Sequence, residues 1–152
     1  MRLVLLGHAA TAATRAAAFP EDEPLDAGGR SGAARLLGAM PRADQVRCAP
    51  STRCRQTAEA AGLHAVPDAG LSGCDFGDWT GRTLDEVAAE NPDAVTEWLT
   101  DPSARPHGGE SLTGLLDRVG HWLDGRDSTD DRPPGATLIA IADPTVIRAA
   151  VV

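Results

Sequence analysis

His8 stands one residue beyond the apolar run Leu3-Val4-Leu5-Leu6, where a buried strand would end and present a side chain. An imidazole in such a place can attack an electrophile or move a proton. Arg53 begins the stretch Arg53-Cys54-Arg55-Gln56-Thr57-Ala58, and Asp143 follows a second apolar run, Thr137 to Ala142. A guanidinium suits an anion, whereas a carboxylate repels one. Between them lie Phe76-Gly77-Asp78-Trp79 and His107-Gly108-Gly109-Glu110-Ser111, and in the second of these His107, Glu110 and Ser111 each offer a polar group to a ligand.

Taken together and in this order, these segments resemble the histidine phosphatase superfamily, the phosphoglycerate-mutase-like proteins. The resemblance runs from Leu3 to Arg148 and implies a three-layer α/β sandwich, with helices on both faces of a mainly parallel central sheet. It also implies a phosphate held between two arginines and two histidines, the first histidine attacking phosphorus while a separate carboxylic acid protonates the leaving oxygen. His8 takes the nucleophile's place. The family's opening Arg-His-Gly reads Gly7-His8-Ala9 here, so the first arginine is missing, while Arg53 matches the second in an Arg-x-x-x-Thr-Ala pattern. The Leu-x-Glu-x-x-Phe-Gly-x-Trp pattern of the acid falls on Leu71 to Trp79 and puts Gly73 at the glutamate. Asp75 and Asp78 are the substitutes within reach, or simply turn residues. The second histidine becomes Asp143.

That last change matters most for phosphoryl chemistry. A carboxylate about 4 Å from a phosphate repels each unit of its charge by roughly 4 kcal/mol at an effective dielectric near 20. Losing one oxyanion-type donor costs about a hundredfold to a thousandfold in rate, and losing the general acid about a hundredfold more. Ordinary phosphomonoesterase activity is therefore expected to be weak or absent, in a protein with a non-standard site around His8, Arg53 and Asp143. Two alternatives stand beside an altered phosphatase or mutase: an enzyme using His8 and Asp143 as an acid-base pair on a non-phosphate or cationic substrate, and a non-catalytic pseudophosphatase that binds ligands or partners. The acid-base reading requires Asp143 within direct or single-water reach of His8, no more than roughly 7 Å. Arg53, His107, Glu110 and Ser111 are the candidate substrate-binding residues. His107 either supplies a donor to the pocket or is an exposed loop histidine, and Glu110 and Ser111 either touch ligand or cap the helix beginning there. A small-molecule ligand is expected, with no cofactor and no metal.

The elements that must position these groups follow from pattern. Arg2 to Leu6, Gln45 to Cys48 and Thr137 to Ala142 read as strands and are expected side by side in one sheet. Helices are expected over Gly29 to Met40, Thr52 to Ala61, Thr83 to Glu90, Asp93 to Leu99 and Ser111 to Leu123, with another starting at Val146. Asp68 to Gly81 reads as a long loop and Gly125 to Gly135 as a surface loop. The resemblance implies more of a helix and another strand after Arg148, so the C-terminal element is expected to be truncated.

The 152 residues fit a single domain spanning 1–152. A net charge of -8 argues against nucleic acid and anionic membranes, and no apolar run approaches the length of a membrane span. All fourteen basic residues are arginine, a bias that identifies no function. Three cysteines without CxxC spacing support neither a disulfide framework nor a zinc site, and Leu3 to Leu6 is too short for a signal core. Cytoplasmic location is the resulting expectation.

Overall fold

The computed structural model describes residues 1–127 and 133–152. The three expected strands lie side by side. Strands β1 (Arg2–Gly7), β2 (Gln45–Cys48), β3 (Val66–Pro67) and β4 (Thr137–Ala142) form one parallel sheet in the order β1-β4-β2-β3. β4 occupies the interior, and Leu138 to Ala142 are all buried. A strand covered on both faces needs such an unbroken apolar run rather than alternation. The architecture is a three-layer α/β sandwich with helices on both faces of the sheet. Helices α2 (Ala27–Ala34) and α3 (Thr52–Ala60) pack on each other, as do α6 (Leu112–Asp127) and α7 (Pro144–Ala150).

Several boundaries differ from the sequence pattern for local reasons. Asp26 caps α2 by accepting from the Gly29 amide, and beyond Ala34 the chain tightens into successive turns toward Gly38, whose φ of 74° ends any helical path to Met40. Pro92 begins helix α5 (Pro92–Thr100) instead of merely separating it from α4 (Leu84–Glu90), because a helix's first position needs no amide hydrogen. α6 runs to Asp127, so the loop expected from Gly125 begins later, and residues 128–132 of it lie outside the described chain. α7 starts at Pro144, with Asp143 as its cap, two residues before the expected Val146.

A second apolar cluster lies apart from the sheet. Phe19, Trp79, Val87 and Val95 form its buried centre, with Phe76, Leu84 and Trp98 against them. The loop from Asp68 to Gly81 contains two 3-10 turns, Ala69–Leu71 and Gly77–Trp79, and is pinned where the Asp78 amide donates to the His107 carbonyl and the Glu110 amide to that of Asp75. Two glycines permit this approach. A Cβ on Gly77 would stand 2.1 Å from the His107 carbonyl oxygen, and one on Gly109 2.0 Å from that of Asp75.

Helix α1 (Ala12–Ala16) follows β1 and carries a capping box in which Thr11 accepts from the Thr14 amide. It ends on Ala17, held at φ 52°, while the Ala17 and Ala18 amides both close onto the Ala13 carbonyl. A Cβ is disfavoured in this left-handed conformation. Replacing Ala17→Gly should therefore stabilise the fold by up to about 1 kcal/mol, after the extra freedom glycine gains in the unfolded chain is deducted. The midpoint of urea unfolding at constant slope measures it; a midpoint that falls would mean the turn is not strained.

Candidate functional site

Parallel register assembles the site. Gly7 on β1 pairs with Ala142 on β4, and the His8 amide continues the ladder by donating to the Ala142 carbonyl at 3.1 Å. The next residue on each strand is thus His8 on one and Asp143 on the other. β2, on the far side of β4, feeds through Ala49 to Ser51 into α3, whose first turn carries Arg53. Three adjacent strand ends deliver an imidazole, a carboxylate and a guanidinium to one point, at the carboxyl edge where open α/β sheets place their ligands.

Asp143 stands between the other two. Its Oδ2 accepts from Arg53 Nη2 at 3.1 Å and lies 3.5 Å from His8 Nε2, well inside the span expected for a pair. Its Oδ1 accepts from the Thr145 amide at 2.9 Å and from the Thr145 hydroxyl at 2.8 Å, which caps α7. The side chains of His8, Arg53 and Asp143 are 3%, 6% and 8% exposed, so water screens these charges poorly. Burial works to raise the Asp143 pKa, but the His8 imidazole, both Thr145 donors and the Arg53 charge outweigh it and hold the carboxyl far below its ordinary range. Arg53 also donates through Nη1 to the Glu21 carbonyl at 2.7 Å, while its buried Nε has no hydrogen-bond partner among the described residues.

Thr57 is a member of this constellation that the sequence pattern names without explaining. Its hydroxyl accepts from the Ala9 amide at 3.0 Å and donates to the Arg53 carbonyl at 2.8 Å, tying the segment after His8 to α3. Thr145 is a residue the motifs do not single out, although Asp143-Pro144-Thr145 is a helix-start signature. The two glycines that stand where the resemblance implies a charged side chain differ in the room around them. A Cβ on Gly7 would meet only Ile147 Cδ1 at 3.6 Å, ordinary contact, so space for a side chain exists there. A Cβ on Gly73 would lie 3.1 Å from both Cβ and Cγ of Asp143, so a side chain there would press on the aspartate.

The remaining candidates lie elsewhere. His107 is not an exposed loop histidine: it is 1% exposed and set edge-on to Phe76 and Trp79, with ring centroids 5.8 and 5.2 Å away. Its Nδ1 accepts from the Gly109 amide, and burial lowers its pKa against the weaker upward pull of Asp75 and Asp78. Glu110 is clasped by Arg118, each carboxylate oxygen 2.9 Å from a guanidinium nitrogen, and Ser111 accepts from the Gly114 amide in the first turn of α6. Asp75 is exposed and closes a turn on the Gly77 amide. Beside His8 and Asp143 opens a cavity of about 260 Å³ whose other walls include Phe19, Phe76, Leu84 and Trp98. His107, Glu110 and Ser111 do not line it.

The model of the histidine phosphatase superfamily, branch 1, matches residues 3–152. The chain belongs to this superfamily. Among solved structures, it is 28% identical to TTHB049 from Thermus thermophilus, with a TM-score of 0.81 over 98% of this chain and 82% of that one. For the phosphoglycerate mutase from the same organism the figures are 29%, 0.81, 98% and 81%. For mycobacterial hydrolase 1 they are 26%, 0.81, 99% and 78%. A segment of 91 residues, 60% of this chain, is 38% identical to the bifunctional protein Rv2228c of Mycobacterium tuberculosis and spans 24% of that protein's length. Among the described residues, no helix is long and apolar enough to cross a membrane.

Removing the carboxylate should expose what it balances. Asp143→Ala leaves the Arg53 charge buried without its counter-ion and should cost about 3 kcal/mol or more. Added sulfate should recover part of that loss in the variant and little in the unmodified chain, as read by thermal unfolding. Acid titration tests the same charge. Because the Asp143 carboxyl titrates lower in the folded state than its unfolded value of about 3.9, its contribution is complete above roughly pH 5 and lost as pH falls through and below that value. Asp143→Asn should accordingly flatten the acid limb of the stability curve.

Proposed function

We propose that this is a histidine-phosphatase-family protein whose anion site is closed by its own carboxylate, and that ordinary phosphomonoester turnover is weak or absent. The observation that carries this is the position of Asp143 Oδ2, 3.1 Å from Arg53 and 3.5 Å from His8. In the resemblance, the nucleophilic histidine and the arginine converge on a phosphoryl group. Here a fixed negative oxygen stands between them. His8 keeps the ring orientation of the nucleophile's place, with Nδ1 2.8 Å from the Ala9 carbonyl oxygen and Nε2 turned to the point where Asp143 and Arg53 meet. A phosphoryl group entering there would have to displace or neutralise Asp143. Without the arginine at Gly7 and the acid at Gly73, nothing in the site offsets that cost. Cytoplasmic action on a small-molecule ligand completes the reading.

A second reading is favoured by the separation of His8 and Asp143 and by the apolar cavity beside them. The pair is suited to take and return a proton on an uncharged or cationic ligand, with Asp143 stabilising the charged imidazole and Arg53 balancing the carboxylate.

Turnover of p-nitrophenyl phosphate should fall about a hundredfold or more below that of a relative with all motifs intact. Restoring Gly7→Arg, Gly73→Glu and Asp143→His together should raise it, whereas Gly73→Glu alone should not, because the new side chain meets Asp143 in both volume and charge. Efficient hydrolysis by the unmodified chain that disappears in His8→Ala would overturn the closed-site reading.

A further inference from the structure

His107 is a buried titratable side chain outside the His8, Arg53 and Asp143 constellation, and it sits where two loops meet. Its carbonyl accepts from the Asp78 amide at 2.8 Å, its Nδ1 accepts from the Gly109 amide at 3.0 Å, and its ring lies against Phe76 and Trp79. An imidazole nitrogen that accepts from an amide carries no hydrogen, so the single hydrogen of the neutral ring is on Nε2. That atom is buried and has no hydrogen-bond partner among the described residues. A second proton could go only to Nδ1, where it would face the hydrogen of the Gly109 amide. The closed loops therefore accommodate the neutral ring and not the charged one.

The surroundings act in the same direction. Leu84 and Val87 from α4, and Val95 and Trp98 from α5, pack in the apolar cluster that Phe76 and Trp79 belong to. Asp75 and Asp78 pull a proton toward the ring, but both are exposed and screened by water. On its own loop Arg105 is exposed, and Glu110 is paired with Arg118. Burial outweighs the two aspartates and holds the His107 pKa below its ordinary value of 6.5. An open form binds the proton more readily, so the closure is complete above about pH 6.5 and weakens as pH falls below that value.

We propose that His107 is an acid-released latch: protonation of its ring parts residues 105–110 from residues 75–79 and frees Phe76, while the sheet stays folded. The release is local because Phe76 and Trp79 belong to the smaller apolar cluster and not to the one built on the sheet. Phe76 walls the cavity beside His8, so the latch reshapes that cavity while leaving His8, Arg53 and Asp143 in place. Asp143 loses its contribution only below about pH 5, so the two responses to acid are separable.

Amide hydrogen exchange of the full chain at about pH 7.5 and about pH 5, expressed as protection relative to each amide's intrinsic rate, tests this. Protection of the Asp78, Gly109 and Glu110 amides should fall about tenfold between the two, while that of Ile139 and Ile141 on β4 stays high. His107→Asn keeps an acceptor for the amide two residues on, as in an Asx turn, but does not titrate, so the fall should disappear. The variant retains His8, His64 and His121 and so isolates the latch from their titration. If it does not fold, NMR titration of the His107 ring in the unmodified chain decides, and its midpoint should lie below 6.5 and coincide with the loss of protection. Unchanged protection in the unmodified chain, a fall that persists in folded His107→Asn, a parallel loss at Ile139 and Ile141, or a His107 ring that titrates at or above 6.5 each overturn the latch.

Discussion

One buried carboxylate joins the end of the sheet, the start of the last helix and the arginine of the site. Asp143 leaves β4, accepts two hydrogen bonds from Thr145 to begin α7, and offers its other oxygen to Arg53 and His8. Isolated, such a group would be forced to neutralise or to reach water. Its neighbours hold it ionised instead, and in doing so they are themselves held. Arg53, buried on α3, has Asp143 and the Glu21 carbonyl as its hydrogen-bond acceptors. The carboxylate charge proposed to repel a phosphate is also the charge that pairs with buried Arg53.

This arrangement is a consequence of strand order more than of any local signal. With β4 between β1 and β2, and all three parallel, whatever follows each strand must converge at one edge. The matched register of Gly7 with Ala142 then leaves His8 and Asp143 no choice but to be neighbours. Gly73 completes the fit from the loop side, since its missing side chain leaves room for the aspartate. Positions 73 and 143 are therefore in close contact, and a side chain at 73 would be felt by the aspartate.

What is readable in the sequence follows from how strongly each feature is written. The unbroken apolar runs of β1 and β4 announce parallel strands, β4 buried along its length and β1 half-buried at the sheet's edge, and motif order places them beside β2. β3, two residues long and containing a proline, has no periodicity to detect. Apolar periodicity puts the start of α7 at Val146, two residues late, because the true signal is polar: Asp-Pro-Thr supplies a cap and a first-turn proline. His107 has the surroundings of a loop residue because Gly108 and Gly109 follow it. Only the approach of two loops, made possible by Gly77 and Gly109, reveals that it is enclosed by aromatic rings. Similarly, Glu110 carries no sign of its clasp by Arg118, eight residues away on α6.

Thr57 has a wider implication. By bonding the Ala9 amide and the Arg53 carbonyl at once, it fixes the histidine segment and the arginine helix to each other without reference to β4. The backbones that carry the imidazole and the guanidinium are thus tied to each other by a link that does not pass through the residue after β4. A lineage can exchange the histidine expected there for an aspartate, inverting the local electrostatic sign, while that link stays in place. Such a link makes the scaffold permissive to changes of chemistry that would ruin a site built as one indivisible network.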